Sequence, residues 1–241
     1  MKKIVSLVSA TFILACTNFA NAALIAQWTF EDTDVLPQSN LTDLSYGAAD
    51  GGANAGSGAA SGHHSSSATD WSFPAGAGSA RSFSANTWAV GDYYQFQVST
   101  VGYDDIRVVF TQTSSGTGPR DFMFQYSTDG STFTDFATYA VRENASPGWS
   151  PTLTPEQAAL FTLSFDLSDL TTLDNQATVF FRLTDNGTTS AAGGTVAAGG
   201  TDRVDNFAVV PEPTTYAGII FGAIFCGTQI VRRLRARNPR L

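Results

Sequence analysis

Tyr93-Tyr94-Gln95-Phe96-Gln97-Val98 places Tyr94, Phe96 and Val98 on one side of an extended chain and Gln95 and Gln97 on the other. The same alternation returns at Ile106-Val108-Phe110, Phe122-Phe124-Tyr126, Phe161-Leu163-Phe165-Leu167 and Val179-Phe181-Leu183. Arg107, Thr111, Gln125, Thr162, Ser164, Arg182 and Thr184 occupy the opposite positions. A period of two is that of antiparallel strands with one face buried. Asp129-Gly130 between two such runs predicts a tight hairpin. Ser115-Gly-Thr-Gly-Pro119 and Asp185-Asn-Gly187 predict further turns. Leu24–Phe30 and Arg203–Val210 supply a first and a last strand. About nine or ten strands are expected, with one helical turn capped by Thr154, carrying Pro155 at its first position and Gln157 three residues after the cap. Many short strands and almost no helix predict an all-β protein, an antiparallel β-sandwich.

Two stretches break the pattern. In 47–80, Gly, Ala and Ser make up 25 of 34 residues, too little apolar surface for a core strand, so a long surface loop is expected. Asn186–Asp202 reads the same way. His63-His64, inside the first stretch, are then expected to be solvated.

The ends of the chain differ from its middle. Met1-Lys2-Lys3, the apolar run after Ile4 and Ala20-Asn21-Ala22 form an export signal over 1–22. An alternative reading uses Ile13-Leu14-Ala15-Cys16, which resembles a lipoprotein box. At the other end, Pro211-Glu212-Pro213 precedes an apolar stretch, 214–231, and then Arg232, Arg233, Arg235 and Arg237. At ~1.5 Å per residue that stretch spans ~27 Å as a helix, enough for one bilayer crossing. The arginines would hold its end in the cytoplasm. Residues 23–210 remain as a single exported β-sandwich domain.

That middle domain holds six arginines, no lysine and 20 of the 21 acidic residues, a formal charge of −14. Such a surface repels phosphate backbones and excludes nucleic acid as a partner. Both cysteines, Cys16 and Cys226, fall outside it, so disulfides, thiolate metal sites and a cysteine nucleophile are excluded there. No Gly-x-Ser-x-Gly or His-Glu-x-x-His occurs, and no histidine neighbours a candidate serine. Asp104-Asp105 and Asp166…Asp169 fall at turns rather than as a pair flanking a scissile bond. The domain reads as non-enzymatic, with an unrecognised hydrolase as the remote alternative. Trp71, Trp88, Trp149, Tyr93 and Tyr103 lie near strand ends or in loops. There they either stack on sugar rings or plug the sandwich.

The C-terminal Val-Pro-Glu-Pro, apolar helix and arginine cluster resemble the PEP-CTERM sorting signal. That resemblance implies recognition by an exosortase, a membrane transpeptidase. It also implies transient residence in the inner membrane and transfer to the cell surface or the extracellular polysaccharide. The domain itself resembles a galactose-binding-type jelly roll. Trp28-Thr-Phe-Glu31-Asp32, Tyr126-Ser-Thr-Asp-Gly130-Ser-Thr-Phe133 and Arg203-Val-Asp205-Asn206-Phe207 carry the likeness. With the tail, it leads first to a non-enzymatic envelope or extracellular-matrix protein, and as the alternative to a carbohydrate-binding module with a structural Ca²⁺ held by Glu31 and Asp205. Ca²⁺ is the one cofactor suggested, and it would need six to eight oxygens, some from loop carbonyls. The alternative is that Asp205 pairs with Arg203 or caps a turn, with Glu31 merely exposed.

Replacing Pro211-Glu212-Pro213 by alanines should leave folding intact and hold the protein on the membrane. Fractionation and immunoblotting check this. Normal-sized protein in the extracellular fraction would leave a plain membrane anchor as the reading.

Overall fold

The computed structural model describes residues 24–211. The export signal, Glu212, Pro213, the apolar stretch 214–231 and Arg232, Arg233, Arg235 and Arg237 lie outside the described residues. No helix among the described residues is long and apolar enough to cross a membrane.

Two sheets pack face to face. The strands are β1 (Ala26–Trp28), β2 (Asp43–Gly47), β3 (Ala59–His63), β4 (Trp71–Ser72), β5 (Phe83–Ala85), β6 (Tyr93–Val98) and β7 (Ile106–Ser114). Then come β8 (Asp121–Ser127), β9 (Thr134–Ala140), β10 (Arg142–Glu143), β11 (Thr162–Asp166), β12 (Val179–Asp185) and β13 (Asp202–Pro211). One sheet of six strands runs β2-β3-β6-β12-β8-β9. The seven-stranded sheet is built on the long pair β7–β13. Its outer edges are shared: β7 takes β11 and then β10, and β13 takes β5 and then β1. The expected β-sandwich is therefore the architecture. The strands beyond the expected number are pieces of two or three residues, too short to show a period.

The alternation predicts the core well. Tyr94, Phe96, Val98, Ile106, Val108, Phe110, Phe122, Phe124, Val179, Phe181 and Leu183 are all buried. Phe96 lies flat on Phe207 across the sandwich, with centroids 3.5 Å apart and planes 3° from parallel. Trp28 meets Phe96 edge-on at 5.4 Å, and Phe124 stacks on Phe165 at 4.4 Å. Gly130 turns the β8–β9 hairpin at φ 70°, and Asp129 Oδ1 accepts the N–H groups of Ser131 (2.8 Å) and Thr132 (2.7 Å). Those bonds draw the Asp129 carboxyl down to about 2. The helical turn α1 (Pro155–Ala158) carries the expected reciprocal cap between Thr154 and Gln157.

The Gly/Ala/Ser stretch is not a surface loop. It contributes β3, and with it an inner strand of the six-stranded sheet. His64 is 0 % exposed, packed edge-on against Trp71 at 4.8 Å and Trp88 at 4.3 Å. Small residues are needed because Trp71 lies directly over β3. A Cβ on Gly62 would overlap the Trp71 ring. The apolar area missing from β3 is thus supplied by an indole from β4. In Asn186–Asp202 the middle, 191–199, is mostly exposed, as expected, but Ser190 and Gly200 are buried and Asp202 opens β13 at 0 % exposure. The first strand is shorter than expected because Phe30 takes a positive φ of 60° and leaves the ladder.

Trp71 cannot retreat: its Nε1–H donates to Leu41 O at 2.8 Å and its other face stacks on Phe83 at 5.3 Å. Gly62→Ala should therefore destabilise by about 1–3 kcal/mol. Gly199→Ala, whose added carbon meets nothing within 4 Å, should leave Tm unchanged or slightly raised. Calorimetry of the two variants checks this, and equal Tm values would remove the Trp71–Gly62 contact from the account.

Candidate functional site

Two places on the sandwich bring polar groups together. The first is a gap in the seven-stranded sheet. β13 pairs with β5 through Val204 and with β1 from Phe207, and between them the register slips at Asp205–Ala208. Asn206 sits there at φ 52°, the left-handed region that asparagine tolerates. A bulge of this kind re-aims a side chain, and here it turns Asp205 under the loop 74–82. Asp205 Oδ2 accepts the N–H of Ala77 (2.9 Å) and the hydroxyl of Ser79 (2.6 Å), and Oδ1 accepts the N–H of Asn206 (2.7 Å). Gly76 lies so close to this carboxylate that no Cβ would fit.

Glu31 comes to the rim of the same gap. It is exposed, and its Oε1 accepts the N–H of Arg81 at 2.7 Å. Burial raises the Asp205 carboxyl to about 7 against the pull of its donors, and the charge on Glu31 pushes the same way. Both sequence-predicted carboxylates thus border the loop 74–82, Glu31 exposed and Asp205 buried and holding that loop, as the alternative reading had it. The alternative partner behaves differently: Arg203 Nη1 donates to Ala75 O at 3.3 Å. Among the described residues, no three or more His, Cys, Asp or Glu side chains converge as a metal site. A cation here would rely on two carboxylates and on neutral oxygens. Only oxygen donors are present, which suits a hard ion such as Ca²⁺.

The second place is the open face of the six-stranded sheet. Ladder register aligns Ser45, Ser61, Gln95, Arg182, Gln125 and Asp135 in one row across all six strands. At ~4.8 Å per strand the row is ~24 Å long. Beside it, Asp43, His63, Tyr93 and Thr184 form a second row. The side chains bond to one another. Arg182 Nε donates to Gln95 Oε1 at 2.8 Å, and its Nη2 to the Tyr93 hydroxyl at 3.1 Å. Thr184 donates to Gln125 Oε1 at 2.8 Å, and Gln125 Nε2 donates to Asp135 at 2.7 Å. His63 Nδ1 lies 2.6 Å from Asp43.

The Arg182 guanidinium sits over two rings at once, 3.8 Å from the centre of Tyr93 and 3.5 Å from that of Phe133. His63 packs on Tyr93 at 5.2 Å, and Phe180 stands edge-on to Phe133 at 6.5 Å. Partial burial lowers the Arg182 pKa from its ordinary value. Of the aromatic residues singled out in the sequence, Trp71 and Trp88 are buried in the core, Tyr103 packs against it half-buried, and Trp149 is buried in a separate cluster with Ala77 and Phe161. Tyr93 alone among them joins this face. Phe133 and Phe180 were missed, since Phe133 follows a hairpin and Phe180 falls among Val179, Phe181 and Leu183. The signal that finds them is cross-strand register, which a single strand's alternation does not contain.

No protein-family profile matches the chain, and no curated protein resembles it in sequence. Among solved structures, the chain is similar to the CBM22-2 xylan-binding domain of Paenibacillus barcinonensis Xyn10C, at 10 % identity over 73 % of this chain and 98 % of that one, with a TM-score of 0.36. It is also similar to the N-terminal cellulose-binding domain of β-1,4-glucanase C from Cellulomonas fimi, at 13 % identity over 70 % and 88 % of the two chains, with a TM-score of 0.30. A third is TmCBM61 in complex with β-1,4-galactotriose, at 10 % identity over 55 % and 72 %, with a TM-score of 0.32. These scores are low, and what the chain does must be read from the open face itself.

Proposed function

We propose that the protein is a non-enzymatic polysaccharide-binding module of jelly-roll type, exported and sorted to the cell surface or its polysaccharide layer. The observation that carries this is the six-strand row of amide, hydroxyl, guanidinium and carboxylate groups flanked by partly exposed rings. Extended glycans offer hydroxyls to hydrogen-bond and flat apolar faces to cover aromatic surface. A sheet face that presents both, already linked by hydrogen bonds, loses little side-chain freedom on binding. On the other sheet, register aligns Arg142, Thr113, Arg203, Ser84 and Ser72, but Thr113 and Ser84 in that row are buried. Export and exosortase processing rest on the sequence signals at the two ends.

Affinity electrophoresis of the purified full chain through gels cast with polysaccharides tests this reading. Retardation should be seen with some of them. Tyr93→Ala should weaken binding about tenfold, which corresponds to ~1.4 kcal/mol. Ser164→Ala, exposed on the opposite sheet, should not change it. Indistinguishable behaviour of the two variants, or no retardation by any polymer, would overturn the reading.

We also infer that the Glu31–Asp205 gap takes a Ca²⁺ ion that ties the first strand to the last. A proton competes for the same place, which fixes the sign of the pH dependence. The folded Asp205 carboxyl lies above its unfolded value, so its contribution to stability is present below ~3.9 and is lost as pH rises through about 7. Burial raises Asp202 to about 8, with the same sign. His64 is lowered to about 4 by burial, so it acts below ~6.5 and is silent above. Between pH 6.5 and 8.5, in chelator, Tm should therefore fall. Millimolar Ca²⁺ at pH 8 should restore it in the wild type and in Asp34→Asn, but not in Asp205→Asn. Equal rescue of both variants would reduce the effect to charge screening.

A further inference from the structure

Arg182 holds the centre of the open face, with two strands to one side of it in the sheet and three to the other. Its Nε is committed to Gln95, and one Nη2 hydrogen to Tyr93. Among the described residues, no carboxylate pairs with it, whereas Arg107 lies 3.7 Å from Asp166 and Arg120 lies 2.9 Å from Asp121. The rings of Tyr93 and Phe133 both lie against the guanidinium. Its remaining N–H groups lie on its edge, in the guanidinium plane. A guanidinium so clamped is oriented before any ligand arrives, and its edge matches the two oxygens of a carboxylate.

Resting on the reading of this face as a glycan site, we propose that its ligand carries a carboxylate on one of its sugars, a uronate, and that Arg182 receives it. The rest of the row fixes how densely such charges can be spaced. Asp135 lies two strands from Arg182, ~10 Å away, and Asp43 three strands away, ~14 Å. Each would oppose a second carboxylate placed above it, while at about 8 Å of screening neither reaches strongly to the first. Gln95, Ser61 and Ser45 on one side and Gln125 on the other suit neutral hydroxylated sugars. The ligand is therefore a mostly neutral polysaccharide with isolated uronates, rather than a uniformly charged polyuronate.

Matched polymers test this. Glucuronoxylan and deacylated gellan would each be compared with their own carboxyl-reduced forms, and alginate would serve as the uniformly charged case. Binding to the purified full chain would be measured by affinity electrophoresis and calorimetry at low and high salt. The acid form of at least one polymer should bind about tenfold tighter than its reduced form, and alginate should bind more weakly than that acid form. Raising the salt from ~50 to ~500 mM should shrink that preference. In Arg182→Gln with an unaltered Tm, the ratio of acid to reduced affinity should fall to about one. If that variant does not fold, the salt dependence of the wild-type ratio decides alone. Equal binding of acid and reduced forms, with Tyr93→Ala still weakening both, would overturn the uronate assignment and leave the glycan face standing. Loss of binding by every polymer would remove both.

Discussion

The stack of Phe96 on Phe207, 3.5 Å apart and nearly parallel, joins the two sheets at their middle and fixes the rest. Strand alternation leaves no freedom once one side chain is placed. With Phe96 turned inward, Gln95 and Gln97 must face out. The ladder then sets β12 beside β6 so that Phe181 opposes Phe96 and Arg182 opposes Gln95. A slip of one residue in β12 would bury Arg182 and expose Phe181, and one in β6 would bury Gln95 and expose Phe96. The aromatic core and the polar row outside it are one constraint seen from two sides, so the candidate site needs no stabilising device of its own.

The same constraint explains what could be read from the chain. Long alternating runs, such as Tyr93–Val98 and Val179–Asp185, declare their inward faces, and they are the strands that carry the site. Glu31 and Asp205 were picked out because the first and last strands of such a sandwich lie side by side, and both border the loop 74–82. Two things were hidden. The β8–β9 turn carries Phe133 to Arg182 on a strand far away in sequence, and no local pattern encodes it. Burial of β3 depends on Trp71, whose indole supplies the apolar surface that Gly62 and Ala60 lack. A composition rule applied to 47–80 sees small residues and infers solvent. The packing sees a groove made for a large ring.

The formal charge of −14 for 23–210 also needs correcting by what lies inside. Asp202 is fully buried and accepts the amide of Gln112 at 2.9 Å on Oδ1, while Oδ2 lies 2.8 Å from the Ser114 hydroxyl. That hydroxyl also lies 2.6 Å from Pro119 O. Ser114 has one proton and a carbonyl can only accept, so the shorter bond takes it. The bond between Asp202 and Ser114 then needs a proton from the carboxyl, which must be protonated. Burial raises Asp202 to about 8, in agreement. Gln112 Oε1 in turn accepts the Tyr139 hydroxyl at 2.8 Å, so the chain of donors runs from β9 across the core to β13 without a missing partner.

With Asp202 protonated and Asp205 raised to about 7, the repulsion felt by an approaching ligand is smaller than the composition suggests. Arg182 stands on the other sheet, between Gln95 and Gln125, with Asp135 two strands away and Asp43 three. That spacing lets an acidic domain present a local positive site. Long-range steering toward a negative polymer would be weak, so recognition there depends on short-range hydrogen bonds and ring contacts rather than on the field of the whole protein. A site of that kind discriminates by the position of a single charge, which is what a sparsely charged polysaccharide provides.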